Sequence, residues 1–265
     1  MSSDKILLTG GCSYTDKNFQ SLDTTSAARG GWPMWPEIVA SEVGLQSVNV
    51  AASGISNDTI FNNIMDGIIE YGDRIDTIAV LWTTADRIPF FYKTIIPSAE
   101  LYIEDMDNRT EDLDKWMSNR PAGDAVKEFL RDDHFNLDKM LSYWMGSILR
   151  KMYELIVICD KFGYKLIMGQ GPAYFDEIPL SKFLDESISL KKIKFFMDSS
   201  YFNRLEKHRN NIIGWPLLPE IGGWDFDTYR KSHQCTTVSD KDYHPNAYGQ
   251  QIFADVFKKR ISYEL

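Results

Sequence analysis

The stretch KILLTGGCSYT, residues 5–15, contains the first predicted strand of this chain and the turn that follows it. It opens with apolar residues, which predict a buried β-strand over residues 5–9 that two glycines close. A cysteine and a serine, Cys12 and Ser13, come directly after that strand. The stretch therefore either forms a plain turn or presents a nucleophile at the carboxyl end of a strand, and residues elsewhere in the chain distinguish the two.

The first third of the chain alternates between strand and helix patterns. Residues 35–44 predict a helix, with Pro36 in its first turn and Gly44 at its end. Residues 56–72 predict a second helix with an apolar stripe, and apolar runs before and after it predict strands. Nearly unbroken apolar strands suit a parallel sheet that helices cover on both faces. The predicted strands are 46–52 and 76–84, and the stripe comprises Ile60, Ile64, Ile68 and Ile69.

The pattern changes after the third strand. Residues 86–135 mix aromatics, prolines and acids, and we interpret them as a lid-like insertion that forms a wall of the site. A long amphipathic helix ended by Gly163, a fourth strand, and a final helix entered through Pro245 follow. The prediction is one domain over 1–265, a three-layer α/β/α fold with a flavodoxin-like parallel sheet of about five strands. The remaining predicted features are the fourth strand at 165–171, a short helix near 180–188, and an inner face of the final helix formed by Tyr248, Ile252, Val256 and the flanking phenylalanines.

Composition and charge exclude several classes of protein. The chain has 265 residues, with 29 Lys and Arg against 38 Asp and Glu, so its net charge is −9. No basic cluster offsets this charge, which argues against a nucleic-acid partner and favours a neutral or cationic substrate. Three cysteines without a CxxC pair, and the lack of dinucleotide and P-loop motifs, lead us to expect no disulfide, metal or cofactor. We also expect no membrane partner, no signal peptide and a cytoplasmic location, because every apolar run is short.

Polar residues follow each predicted strand, where the ligands of an open parallel sheet bind. The first strand leads into Ser13 and the second into Gly54, and an acid–histidine pair, Asp242 and His244, precedes the final helix. A serine, an exposed glycine and an acid–histidine pair at one rim are the parts of an acyl-transfer site. The third strand leads into Thr83-Thr84-Ala85-Asp86-Arg87, and the fourth into Gly169-Gln170-Gly171-Pro172.

In the order and spacing of these blocks the chain resembles the SGNH (GDSL-like) hydrolase superfamily. The family block Gly-Asp-Ser corresponds to residues 11–13, with Cys for Asp, and Asn-x-x-x-Ser-Gly corresponds to residues 49–54. The block Gly-x-Asn-Asp falls on residues 83–86, and the last block, an Asp shortly before His-Pro, falls on Asp242 and His244. The forms most similar to it carry GCSYT…DxHPNxxG, which we associate with phage and bacterial genomes, so a virion-associated location is an alternative to the cytoplasm.

The resemblance implies a serine ester hydrolase of the esterase or deacetylase type. Ser13 would be the nucleophile, His244 the base that takes and returns its proton, and Asp242 the acid that orients the imidazole. The backbone N–H groups of Ser13 and Gly54 would hold the oxyanion. A glycine suits position 54 because the missing side chain lets the backbone approach the substrate. The implied partner is a small-molecule or carbohydrate ester.

Two departures from the family pattern leave alternatives open. In the family an Asn side chain is a third oxyanion donor, and this chain has Ala85 there. The residues considered as its replacement are Thr83, Thr84, Asn57 and Arg87. The family acid stands three residues before the histidine, where this chain has Lys241. Asp242 can face His244 in an extended segment, since alternate residues share a face, and Asp240 is the reserve. The functional alternative is a catalytically inactive protein of this fold that binds a glycan or a partner protein.

Other residues near the site have competing interpretations. A thiolate is a better nucleophile than a hydroxyl, but free cysteine is among the most buried residue types, so Cys12 is the less favoured nucleophile. Aromatic residues flank the predicted rim, and they either line a sugar-binding cleft, which favours an acylated carbohydrate, or pack in the core. These aromatics are Trp32, Trp35 and Trp82 on the strand-and-helix side and Phe90, Phe91 and Tyr92 at the start of the insertion. The histidines without a partner pattern are His134, His208 and His233, which we expect to be structural or solvated.

Overall fold

The computed structural model describes residues 4–21, 23–26, 29–84, 91–92, 94–95, 137–172, 194, 196–214, 225–234 and 236–262. Within them, one sheet comprises β1 (Ile6–Gly11), β2 (Gln46–Asn49), β3 (Ile75–Trp82), β6 (Lys165–Gln170) and β7 (Ile212–Ile213). A separate antiparallel pair comprises β4 (Phe91–Tyr92) and β5 (Thr94–Ile95). The helices are α1 (Trp35–Val43), α2 (Asn57–Tyr71), α3 (Leu137–Phe162), α4 (Phe202–Glu206), α5 (Phe226–Lys231) and α6 (Ala247–Ser262).

The strand order of the large sheet is β2-β1-β3-β6-β7, with every neighbouring pair parallel. This is the flavodoxin-like order, so the predicted fold class is confirmed. The order reverses between β1 and β3, and the carboxyl ends of these strands therefore border the crevice where such sheets bind ligands. The sequence did not locate the fifth strand because β7 is two residues long and carries no periodicity.

Helices cover both faces of the sheet. Successive residues of a strand point to opposite faces, so alternate strand residues pack against different helices. Leu8 and Ile78 belong to a core cluster with residues of α2 and α3. Leu7 and Ala79, next to them in sequence, belong to a second cluster with residues of α1 and α6. Each fully buried leucine or isoleucine side chain contributes about 1.5–3 kcal/mol of apolar burial. The three-layer α/β/α arrangement follows from this alternation.

The helix ends agree with the sequence, but two inner-face predictions were wrong. Gly44 and Gly163 follow α1 and α3 with φ of 75° and 73°, a left-handed conformation that favours glycine. Ile69 is 79% exposed, since it stands nine residues after the buried Ile60 and therefore half a turn away around α2. Tyr248 is 51% exposed, whereas Phe253 and Phe257, the flanking phenylalanines, lie on the inner face of α6 as predicted.

Two of the three tryptophans near the rim are core residues. Trp35 is fully buried, stacks on Phe257 with ring centroids 4.1 Å apart, and donates from Nε1 to Thr15 Oγ1 at 3.1 Å. Trp82 is also buried, in the core on the α2–α3 side. Core packing is therefore the right interpretation for both, whereas Trp32 is half-buried and stays a candidate for ligand contact.

Several predictions fall on residues outside the described ranges. The insertion at 86–135 lies there except for β4 and β5, and so does the short helix predicted near 180–188. Ala85, Asp86, Arg87 and His134 lie there as well. In the part of the chain that is described, no helix has the length and apolar character needed to cross a bilayer.

Candidate functional site

A tight turn after β1 positions Ser13. The carbonyl of Cys12 accepts hydrogen bonds from the N–H groups of Thr15, at 2.9 Å, and Asp16, at 3.0 Å. Gly11 has a steric reason here, because a Cβ at that position would lie 2.2 Å from Thr15 Oγ1. The Cys12 side chain is fully buried in the core, as predicted, and Ser13 is buried to 7% exposure at the start of the turn.

The loop after β2 is tied to this turn by Asp16, a residue that the sequence did not single out. One Asp16 carboxylate oxygen accepts from the N–H and the hydroxyl of Ser53, at 2.8 and 2.7 Å. Gly54 follows with φ of 74°, a left-handed conformation that favours glycine. Among the described residues, the N–H groups of Ser13 and Gly54 donate to no protein acceptor. Two backbone donors are therefore available on adjoining loops.

Asn49 reinforces the same junction. Its Nδ2 donates to the Thr15 carbonyl at 2.8 Å and to Glu37 Oε1 at 3.1 Å, and its Oδ1 accepts from the N–H of Ala51. The asparagine that opens the second sequence block thus links the β1 turn, α1 and the β2 loop. It holds loops in place and has no spare side-chain donor for a ligand.

Residues 236–246, which we name the histidine loop, bring His244 and Asp242 to Ser13. His244 Nε2 lies 2.8 Å from Ser13 Oγ, and His244 Nδ1 lies 2.5 Å from Asp242 Oδ1. A carboxylate on Nδ1 fixes the proton there and leaves Nε2 to accept the serine proton. The rings of Phe19 and Tyr14 pack against the imidazole at centroid distances of 4.5 and 5.3 Å. The arrangement can take a proton from Ser13.

Backbone hydrogen bonds hold the histidine loop in shape. The N–H of Val238 donates to the His244 carbonyl at 2.9 Å, and the N–H of Ser239 donates to the Asp242 carbonyl at 3.2 Å. Asp242 N–H in turn donates to Ser239 Oγ at 3.1 Å. Gly249 in α6 lets this loop approach the helix, because a Cβ there would lie 2.5 Å from the Thr236 carbonyl oxygen. The acid and the histidine are therefore fixed by their own loop.

Ser21 is a further member of this chain of contacts, and sequence reasoning missed it. It is fully buried, and its hydroxyl donates to Asp242 Oδ2. Arg29 fixes its backbone, since the guanidinium donates to the Ser21 carbonyl and the Ser21 N–H donates to the Arg29 carbonyl at 2.7 Å. No sequence pattern signals a contact between residues that are 221 positions apart.

The Asp242 carboxyl is held in its charged form. Burial raises its pKa, but hydrogen bonds from the Ser21 hydroxyl and from the N–H and ring of His244 outweigh burial, so the pKa lies below the usual 3.8. Asp240, the reserve acid, is exposed and makes no hydrogen bond or ion pair within the described residues. The structure therefore places Asp242, and not Asp240, on the histidine.

The loop after β3 contrasts with the histidine loop in its pairing. Asn57 Nδ2 donates to the carbonyls of Thr83 and Thr84 at 3.0 and 3.1 Å, and its Oδ1 accepts from the Thr83 N–H at 2.9 Å. Asn57 is thus fully used in holding this loop and has no side-chain donor left for an oxyanion. Within the described residues, Thr83 Oγ1, Thr84 Oγ1 and Gln170 Oε1 are buried without a hydrogen-bond partner.

The described residues include two further histidines, His208 and His233, which have structural contacts of their own. Among the described residues, no three His, Cys, Asp or Glu side chains are grouped as a metal ion would require. His233 Nδ1 contacts the Ser232 hydroxyl and the Tyr229 carbonyl, and the ring of His208 packs on Tyr153. Both histidines have local structural contacts, in line with the sequence expectation.

Comparison with known proteins finds no matching family model and no matching curated protein. Solved structures resemble the chain over nearly its whole length, at low identity. One is LAE5, an α/β hydrolase enzyme from the metagenome of Lake Arreo in Spain, with 14% identity, a TM-score of 0.44, and coverage of 98% of this chain and 96% of that chain. Another is Axe2, an acetylxylan esterase from Geobacillus stearothermophilus, with 12% identity, a TM-score of 0.46, and coverage of 98% and 96%.

A third similar structure is a protein ascribed to the G-D-S-L family of lipolytic proteins, from Desulfitobacterium hafniense DCB-2. It has 9% identity, a TM-score of 0.47, and coverage of 97% of this chain and 99% of that chain. Likenesses at this level do not assign an activity to this chain. Its chemistry has to follow from the positions of its own residues.

Proposed function

We propose that the protein is a serine ester hydrolase of the SGNH type, with Ser13 as nucleophile, His244 as base and Asp242 as the orienting acid. The observation that carries the proposal is the continuous contact from Ser13 Oγ to His244 Nε2, at 2.8 Å, and from His244 Nδ1 to Asp242, at 2.5 Å. A base within hydrogen-bond reach of a hydroxyl, and itself oriented by a carboxylate, is what nucleophilic activation of serine requires.

The proposed reaction has two balanced steps. Ser13 Oγ attacks the ester carbonyl carbon while His244 Nε2 takes the hydroxyl proton, and the tetrahedral adduct expels the alcohol, which receives that proton. Water then attacks the acyl-serine with His244 again as base, which releases the carboxylic acid and restores Ser13. The ionised Asp242 stabilises the imidazolium that forms in each step.

The oxyanion in both steps is assigned to backbone donors. The N–H groups of Ser13 and Gly54 fit this role because neither donates within the described residues and Asp16 ties their loops together. Asn57 is not a third donor, since both of its amide protons already hold the β3 loop. Of the residues considered for the third position, Thr83 and Thr84 retain unpartnered hydroxyls within the described part of the chain.

The test is turnover of p-nitrophenyl acetate by wild type, Ser13→Ala and Cys12→Ala. We expect Ser13→Ala to lower kcat/KM by at least about 10³-fold, while Cys12→Ala keeps most of the activity. A fluorophosphonate should label Ser13 in wild type and in Cys12→Ala but not in Ser13→Ala, as read by peptide mass spectrometry. Equal turnover by wild type and Ser13→Ala would overturn the serine mechanism.

The competing function is a catalytically inactive binding protein of the same fold. Ala85 at the position of the family's third oxyanion donor favours it, because loss of one such donor costs about 3 kcal/mol of transition-state stabilisation. The Ser13–His244 contact favours the enzyme. A folded wild type that neither turns over acetyl esters nor takes the fluorophosphonate label would establish the inactive alternative.

A further inference from the structure

A pocket beside the histidine loop has no role in the proposed chemistry. Its volume is about 580 Å³, which is within the range of small-molecule sites. Ser13 and His244 are not part of its wall. Its wall includes Val238 and Ser239 of the histidine loop together with Thr25, Trp32 and Tyr248.

Among the described residues, the lining carries no charged side chain, and this favours a neutral ligand. Hydroxyl and amide groups alternate with two aromatic rings, Trp32 and Tyr248, and two small apolar residues. An uncharged pocket neither attracts an ion nor compensates its desolvation. Aromatic faces beside hydroxyl groups suit a neutral molecule that has both C–H faces and hydroxyls, and a sugar ring has this combination.

The free hydrogen-bonding capacity of the lining fits the same ligand. Trp32 Nε1 is buried, so the indole offers a ligand the face of its ring and not its N–H. The hydroxyl protons of Thr25 and Ser239 are already given to the Asp23 carboxylate, at 2.6 and 2.5 Å. Thr25 can therefore only accept from a ligand. A sugar can donate a hydroxyl proton to the exposed Thr25 while its C–H face packs on the aromatic rings.

The pocket and the proposed catalytic residues share the histidine loop. Ser239, in the pocket wall, accepts from the N–H of Asp242, and Val238, also in the wall, donates to the His244 carbonyl. We infer that this pocket is a subsite for a neutral sugar unit, so that an acylated carbohydrate bound at Ser13 extends one of its sugars past the histidine loop. The role of the pocket as part of the ester-binding site rests on the proposed function, whereas sugar binding in the pocket does not.

Binding is tested first, on the Ser13→Ala protein, so that no turnover intervenes. Saturation-transfer NMR and calorimetry with xylotriose, cellotriose, maltotriose and chitotriose should detect at least one saturable sugar, and trigalacturonate should bind more weakly because it is charged. Tyr248→Ala and Trp32→Phe should each weaken binding of the best sugar by about fivefold or more, since the first removes one ring of the pocket and the second makes the other smaller. Tyr143→Ala, which changes a more exposed tyrosine on α3 outside the pocket, should leave the affinity unchanged.

Activity then separates this inference from the proposed function. On an acetylated form of the best sugar, Tyr248→Ala should raise KM with little change in kcat, and on p-nitrophenyl acetate it should match wild type. Sugar binding without ester turnover would sink the hydrolase and leave the pocket assignment standing. Ester turnover together with no binding of any of the four neutral sugars, or with binding that Tyr248→Ala and Trp32→Phe do not weaken, would overturn the pocket assignment.

Discussion

The histidine loop and the loop after β3 differ in how completely their polar groups are paired. In the histidine loop, Asp242 accepts from Ser21 with one carboxylate oxygen and contacts His244 Nδ1 with the other, and His244 Nε2 contacts Ser13 Oγ. In the β3 loop the backbone is fixed, but the hydroxyls of Thr83 and Thr84 are buried without partners within the described residues. The first loop is therefore pre-organised, and the second keeps unused hydrogen-bonding capacity.

We expect the largest effect from removal of the Asp242 charge in the histidine loop. Asp242→Asn should lower kcat toward an acetyl ester by about 10³- to 10⁴-fold, because an amide no longer holds the proton on Nδ1 or stabilises the imidazolium. Asp240→Asn is the matched control, since that exposed acid has no partner within the described residues. Similar losses in both variants would contradict the assignment of Asp242.

The paired part of the β3 loop should respond in stability. Asn57→Ala removes three hydrogen bonds to the Thr83–Thr84 backbone, and we expect the free energy of unfolding to fall by about 3 kcal/mol. Denaturant titration measures this loss. Asn62→Ala, at an exposed position on the same helix, should stay within about 0.5 kcal/mol of wild type. An Asn57→Ala protein as stable as Asn62→Ala would mean that these contacts do not hold the loop.

Removal of the Ser21 hydroxyl tests the outermost contact of the histidine loop. Ser21→Ala leaves Asp242 Oδ2 without its donor, and kcat should fall by about tenfold while KM stays unchanged. Because that donor also lowers the pKa of Asp242, the variant should lose its Asp242 carboxylate at a higher pH than wild type does. Ser41→Ala, an exposed serine on α1, is the control. A Ser21→Ala enzyme with wild-type kcat would remove Ser21 from the positioning residues.

Acid pH gives a smaller effect with a defined sign. The pKa of Asp242 in the folded protein lies below 3.8, the usual value of an aspartate. The ionised carboxylate therefore stabilises the fold at pH values above the pKa of the unfolded chain. This contribution is lost as the pH falls through the pKa of the folded protein. The stability difference between wild type and Asp242→Asn should therefore be larger at about pH 6 than at about pH 3. Chemical denaturation at both values measures it. A difference that does not change with pH would contradict the lowered pKa.

The smallest expected effect is on the unpaired side of the comparison. Thr84→Val replaces a buried, unpartnered hydroxyl by a methyl of similar size, so stability should stay within about 0.5 kcal/mol of wild type or rise slightly. The kcat of this variant tests a further role, because an unchanged kcat would exclude Thr84 as an oxyanion donor. A loss of stability greater than 1 kcal/mol, on the order of a lost hydrogen bond, would show that this hydroxyl is paired after all.

The sequence predicted most of the sheet and the residues that meet at its rim. Short apolar runs identified β1, β2, β3 and β6, and glycines marked the ends of α1 and α3. Periodicity assigned Ile69 and Tyr248 wrongly, because helical spacing alone does not fix where an apolar stripe ends. Short elements such as β7 carry too few residues for any pattern.

The α/β class, and the presence of candidate acids shortly before His244, could be read from the sequence, because apolar runs and short spacings are local features of the chain. Only the tertiary structure decided which acid contacts the histidine, that Ser21 supports it, and that Asn57 is already engaged by the β3 loop. These contacts join residues from opposite ends of the chain or from different loops. Their hydrogen bonds depend on where the folded sheet brings those loops together, which no local pattern records.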